Sequence, residues 1–266
     1  MSIMPKSAFA DLERALSHAH NKVKARLARE ADHPDIMAHI IEYNKANLDV
    51  GLTPGEIEAN SMAIVVAGSE TITTALSGAI YHLLKNPSIK EQVVDDIRSK
   101  FASEDQITAS AVASMPYFTA ILNETLRICP PLPDNLRREV PKGGATICGH
   151  MIPEWMTVGV PCWATFYSKI NFVSPDTFLP ERWLNEKSDS VYEKDKKSSF
   201  HPFSAGLHNC MGKPLAWVEL RIILARILWN FDVSVPVGRT LPGWTEQKIY
   251  WTWEKLPLEV QLERAS

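Results

Sequence analysis

The 266-residue chain has few cysteines, no block of one charge and no long unbroken apolar run, and each shortage closes off a class of protein. The four cysteines, Cys129, Cys148, Cys162 and Cys210, are far apart and form no C-x-x-C pair. That argues against a zinc cluster. Nor is the spacing that of a disulfide-dense secreted scaffold, so a reducing, intracellular compartment is expected. The formal net charge of −3 supplies no basic field, so no nucleic-acid partner is expected. The N-terminal stretch M-S-I-M-P-K-S-A-F-A-D-L-E-R lacks the apolar core of a signal peptide. The most apolar run, residues 62–67, is short and followed at once by polar residues, so no membrane anchor is expected in this chain. What the chain does have is 45% hydrophobic residues, enough for a sizeable core.

Helical signals dominate. Residues 8 to about 30 carry Leu12, Ala15, Leu16, Val23 and Leu27 at helical spacing among Lys, Arg and Glu, an amphipathic surface helix. A short helix is expected over 35–43. Thr53-Pro54-Gly55-Glu56 combines an N-cap, a first-turn proline and a capping-box glutamate, opening a long helix over about 54–85 that Asn86-Pro87 stops. Ser88-x-x-Glu91 reads as another capping box, with a helix to about Phe101. A further helix is expected over about 115–128 and a last long one over about 211–229. Between them, 137–161 is rich in β-branched residues separated by Gly and Pro, which predicts short strands and turns. Residues 164–203 read as irregular and contain a charged loop over 185–197; a strand-rich tail ends the chain. With no linker or repeat in view, 1–266 is read as one domain, mainly α with minor β.

The chemistry concentrates in the loop 203–212: Phe203, Gly206, His208, Cys210 and Gly212, followed by a helix. A cysteine at a helix N-terminus meets unpaired backbone N–H groups and the positive end of the dipole, a setting that favours thiolate. Glycines on either side allow a flat ligand close to the backbone. Thiolate is one of the axial ligands of haem iron. A lone cysteine is most often simply buried; the ordered Phe, Gly, Cys and Gly argue otherwise.

F-x-x-G-x-x-x-C-x-G resembles the haem-binding signature of the cytochrome P-450 family, and further matches follow the family's order. Ala67-Gly68-Ser69-Glu70-Thr71 looks like its oxygen-activation motif, Glu124-Thr-Leu-Arg127 like its E-x-x-R, and Pro180-Glu181-Arg182-Trp183 like its P-E-R-[FW]. Leu215-Ala216-x-x-Glu219 also fits. The resemblance runs from about residue 8 to the C-terminus, is closest to fungal members, and implies the C-terminal, haem-binding half of the cytochrome P-450 fold.

It implies haem b with Cys210 as the thiolate ligand to iron, Phe203 as an aromatic shield, Glu70 and Thr71 in proton delivery to iron-bound dioxygen, and Gly68 leaving room beside the helix for a diatomic ligand. It also implies a buried network of Glu124, Arg127 and Arg182. Arg138, in Arg138-Glu-Val-Pro141, matches a haem-propionate contact; His208 stands where the family usually has arginine, and Leu207 where proline is common. The implied partners are an NADPH-dependent reductase, O2 and a small apolar organic substrate. The implied activity is a monooxygenase, or a portion of one, in fungal secondary metabolism. The alternative is a non-catalytic remnant acting at most as a haem-binding or interaction module. Full-length members are longer and anchored to the endoplasmic reticulum membrane. The part before about residue 8, with the anchor and the roof of the substrate pocket, is expected to be missing here, so poorly coupled turnover is expected of this chain alone.

Overall fold

The computed structural model describes residues 6–29, 35–47, 50–184 and 191–265. The chain divides into two compact units, residues 1–69 and 70–266.

The first unit contains α1 (Lys6–Leu27), α2 (Ile36–Ala46) and the beginning of α3 (Pro54–Lys85). Asp35 caps α2 by accepting from the Ala38 N–H, and the Arg26 guanidinium grips the same carboxylate at 2.7 and 3.0 Å. This pairing and the cap hold the Asp35 carboxyl down at about 2. The capping box at the start of α3 forms as its residues dictate: the Thr53 N–H donates to the Glu56 carboxylate at 2.8 Å, and the Glu56 N–H donates to Thr53 Oγ1 at 3.3 Å. In α1, Val23 is buried while Leu16 and Leu27 stay exposed; the Leu12 and Ala15 side chains lie outside the described residues.

By length and composition α3 is apolar enough to cross a membrane, which the shortness of run 62–67 did not suggest. Its second half owes that character to packing: Ile72, Ala75, Ala79, Tyr81 and Leu83 all lie in the core. Ile64, Val65 and Val66, earlier in the helix, are exposed.

The second unit is built around α6 (Pro116–Ile128), in which Phe118, Ala120, Ile121, Leu122, Leu126 and Ile128 are all buried. Around it lie α4 (Pro87–Lys100), α5 (Ala109–Ala113), α7 (Cys162–Phe166) and α8 (Lys213–Asn230). At Gly78 α3 packs closely on the end of α6: a Cβ there would sit 2.8 Å from Cys129 Cβ. Burial pushes the Cys129 thiol well up, which makes it inert. Arg98 donates to the Leu228 carbonyl at 3.0 and 3.2 Å, satisfying a C-terminal carbonyl of α8.

Among the described residues, four two-stranded antiparallel sheets complete the unit. β1 (Arg138–Glu139) pairs with β4 (Thr157–Val158), β2 (Ala145–Ile147) with β3 (His150–Ile152), β5 (Phe231–Ser234) with β8 (Gln261–Arg264), and β6 (Lys248–Ile249) with β7 (Trp253–Glu254). The strands fall in the two segments where β texture was expected.

Two local expectations fail. The capping box at Ser88 does not form, because α4 starts two residues earlier, with Asn86 rather than Ser88 as N-cap and Pro87 in its first turn. Asn86 turns its side-chain amide back to the His82 carbonyl at 2.8 Å instead of capping. The stretch read as irregular, 164–203, begins inside α7 and holds short 3-10 turns at Pro180–Trp183, Val191–Lys194 and Lys197–Ser199. Of the loop 185–197, residues 185–190 lie outside the described residues.

Candidate haem-thiolate site

The groundwork of the site is a buried ionic network on α6. Glu124 and Arg127 are completely buried and face together, one turn apart. The Glu124 carboxylate receives five donors: Arg127 Nε and Nη2 at 2.9 and 2.7 Å, Arg182 Nε at 3.1 Å, the Leu179 N–H at 3.0 Å and Trp183 Nε1 at 2.8 Å. Arg127 places its other hydrogens on the carbonyls of Phe166, Pro175 and Thr177 at 2.7–3.2 Å. Every donor of that guanidinium is used. Arg182 reaches the carbonyls of Val173 and Ser174, and the Phe172 ring lies 5.3 Å from the Arg127 guanidinium.

Sequence reasoning missed the fourth member. Two arginines and one glutamate leave a buried positive charge uncompensated. Asp195 supplies the second carboxylate: it accepts from Arg182 Nη1 at 2.5 Å and from the Val173 N–H at 2.6 Å, and only 8% of the residue is exposed. It sits in the segment read as a charged loop over 185–197. The only signal for it was that imbalance of charge.

The network leads toward the cysteine loop through aromatic rings. Trp183, held by Glu124, packs on Phe200 with centroids 4.6 Å apart, and Phe200 packs on Phe166 at 5.2 Å. Phe200 stands three residues before Phe203. The loop then closes on itself, the Cys210 N–H donating to the Phe203 carbonyl at 2.8 Å. Ser204 and Gly206 both take the left-handed backbone (φ 60° and 72°), which glycine adopts freely and serine does not. The Phe203 ring lies 6.0 Å from Trp217 and under Lys213 Nζ at 5.8 Å, so it is tied to α8.

Cys210 is exposed, two residues before the Gly212 N-cap of the eighteen-residue α8. A Cβ on Gly212 would stand 3.8 Å from the sulfur, so glycine leaves that side bare. One side of α8 (Leu220, Leu224, Ala225, Leu228) is core. Leu207, Met211, Leu215 and Val218 are exposed, Leu207 and Met211 at 101% and 89%. A soft sulfur ligand beside uncovered apolar side chains fits a flat, apolar macrocycle carrying iron. His208 is exposed in the same loop; Arg138 is exposed on β1 and donates to the Arg137 carbonyl at 2.9 Å.

Gly68, Glu70 and Thr71 all lie on α3. A Cβ on Gly68 would meet nothing within 4 Å among the described residues. Glu70 and Thr71 are half-buried, and Glu70 is ion-paired with Lys255. A threonine that returns its hydroxyl to the preceding turn is Thr74, which donates to the Glu70 carbonyl at 2.9 Å.

Residues 4–261 match the model of the family described as "Cytochrome P450". The chain is 39% identical, over 97% of its length and 51% of the relative's, to the cytochrome P450 monooxygenase astJ of Aspergillus oryzae. It is 41% identical to the cytochrome P450 monooxygenase lcsI of Purpureocillium lilacinum (98% and 49%) and 36% identical to the versicolorin B desaturase of Dothistroma septosporum (99% and 51%). The chain thus spans about half the length of the curated relatives it matches. Family match and fungal relatives agree with the mostly helical architecture: the chain belongs to the cytochrome P450 family.

Proposed function

We propose that the chain carries the haem-thiolate site of a fungal monooxygenase acting on a small apolar organic substrate, with Cys210 as the axial ligand of a haem b iron. The observation that carries this reading is the loop 203–212, an exposed thiol at the head of α8 beside bare apolar side chains. When bound, the haem supplies oxygen activation, with electrons from an NADPH-dependent reductase.

The chain's own residues do the rest. The network of Glu124, Arg127, Arg182 and Asp195 fixes the root of the loop, so the sulfur is presented without a large rearrangement. Phe203, clamped between Lys213 and Trp217, shields one side of the sulfur. Arg138 and His208, both exposed, would hold the haem carboxylates, His208 as a hydrogen-bond donor. Glu70 and Thr71 hold and pass protons, and Gly68 leaves space beside α3.

The test is X-ray absorption at the iron edge of the haem-loaded chain. One sulfur scatterer in the iron's shell is expected, lost in Cys210→Ala. A shell of nitrogen and oxygen alone in the unsubstituted chain would overturn the assignment.

A further inference from the structure

We infer that Lys255, a tail residue that no motif singles out, is a positioning residue for the Glu70 carboxylate. The inference rests on the reading of Glu70 as the acid beside Thr71. What it adds is the group that decides where that acid points.

Glu70 and Thr74 stand one turn apart on α3, on the same face. Thr74 is fully buried, and its single hydroxyl proton is spent on the Glu70 carbonyl at 2.9 Å. Its oxygen can therefore only accept. Lys255 Nζ donates to that oxygen at 3.0 Å and also to the Glu70 carboxylate. The ammonium thus has two seats, one deep and immobile, the other on a side chain that retains 43% exposure.

Lys255 is itself placed from both sides. Before it, Trp253 is buried, donates to the Pro130 carbonyl at 2.7 Å, and pairs with Ile249 in the β6–β7 ladder. After it, the Leu256 N–H donates to Gln247 Oε1 at 2.8 Å, and Gln247 is fixed by donating to the Trp244 carbonyl at 3.1 Å. The lysine therefore arrives at α3 on pinned backbone.

A partly exposed ion pair adds little to stability. It does hold a glutamate that would otherwise sample several rotamers, and proton transfer depends on geometry before anything else. Lys255 keeps the carboxylate at one place beside Thr71. Without it, Glu70 swings, and oxygen reduction ends in peroxide more often.

Three variants test this: Lys255→Met, Lys255→Arg and Glu70→Gln. In the chain with its glutamate carboxyls labelled with carbon-13, the resonance lost in Glu70→Gln identifies Glu70. That resonance is expected to move in Lys255→Met and to return toward its original position in Lys255→Arg, with unfolding midpoints unchanged. In the haem-loaded chain with a reductase, Lys255→Met is expected to raise peroxide formed per NADPH consumed, as Glu70→Gln does. The double variant should fall within about twofold of Glu70→Gln alone, since residues in contact do not add. A Glu70 resonance indifferent to Lys255→Met overturns the inference whatever turnover shows. If Glu70→Gln raises peroxide and Lys255→Met does not, Lys255 alone is refuted. If Glu70→Gln leaves peroxide unchanged, the role of the acid itself falls, and the inference with it.

Discussion

Lowering the pH should destabilise the second unit through one histidine. His82, on α3, stacks face to face on Phe178 with ring centroids 4.7 Å apart. Its Nε2 is buried and has no hydrogen-bond partner among the described residues. Burial, with Arg127 and Lys85 nearby, drives its pKa from 6.5 down to about 3. The sign follows. Above pH 6.5 the ring is neutral both folded and unfolded, so it adds no pH dependence. Below that value the unfolded chain takes up a proton that the folded chain refuses until about pH 3, so stability falls across this window. At about pH 5 the unfolded state gains RT ln(1 + 10^1.5), roughly 2 kcal/mol, an upper figure because the residue keeps some exposure. His82→Phe keeps the stacking and removes the titration. Urea unfolding followed by tryptophan fluorescence is suited to the comparison, since Trp244 packs on Tyr81 next to His82 at 5.5 Å. Between about pH 7.5 and pH 5 the unsubstituted chain should lose up to about 2 kcal/mol more than His82→Phe. Equal losses in the two proteins would refute a neutral buried imidazole.

The other predictions concern packing, charge and proton delivery. Asp195→Asn leaves two buried guanidiniums facing one carboxylate and should cost roughly 3–5 kcal/mol; a change below about 1 kcal/mol in chemical unfolding, the scale of a surface pair, would show Asp195 to be dispensable. Gly78→Ala should destabilise by about 1–3 kcal/mol, because the new methyl meets Cys129 Cβ at 2.8 Å. Gly68→Ala on the same helix meets nothing and should stabilise by about 0.5–1 kcal/mol; melting temperatures moving in opposite directions check both. Thr71→Ala in the haem-loaded chain should keep the haem spectrum and raise peroxide formed per NADPH, and unchanged coupling would remove it from proton delivery.

Local signals in the sequence translated well. The start of α3 was legible because Thr53 and Glu56 satisfy each other's backbone within one turn. The strand segments were legible from β-branched texture, and the chemistry-bearing residues of the loop 203–212 stood out because Phe203, Gly206, Cys210 and Gly212 fall within ten residues. Glu124 and Arg127 could be paired because helical spacing alone sets them face to face.

What could not be read depends on distance along the chain. Ser88-x-x-Glu91 has the letters of a capping box, but Asn86-Pro87 starts the helix first. Lys255 is 185 residues from Glu70, and only the folded tail brings them together. Asp195 read as part of a charged loop because its neighbours Glu193, Lys194, Lys196 and Lys197 are charged; burial of one member among them is a tertiary fact. His82 resembles any solvated helix histidine until Phe178 is placed against it.

The central claim, that Cys210 presents a thiolate to haem iron, is tested most directly by the optical spectrum of the reduced, haem-loaded chain under carbon monoxide. The account predicts the red-shifted Soret band of a thiolate-ligated carbonyl complex, abolished in Cys210→Ala and retained in Cys148→Ala and Cys162→Ala. A Cys210→Ala protein that kept the red-shifted band would contradict it.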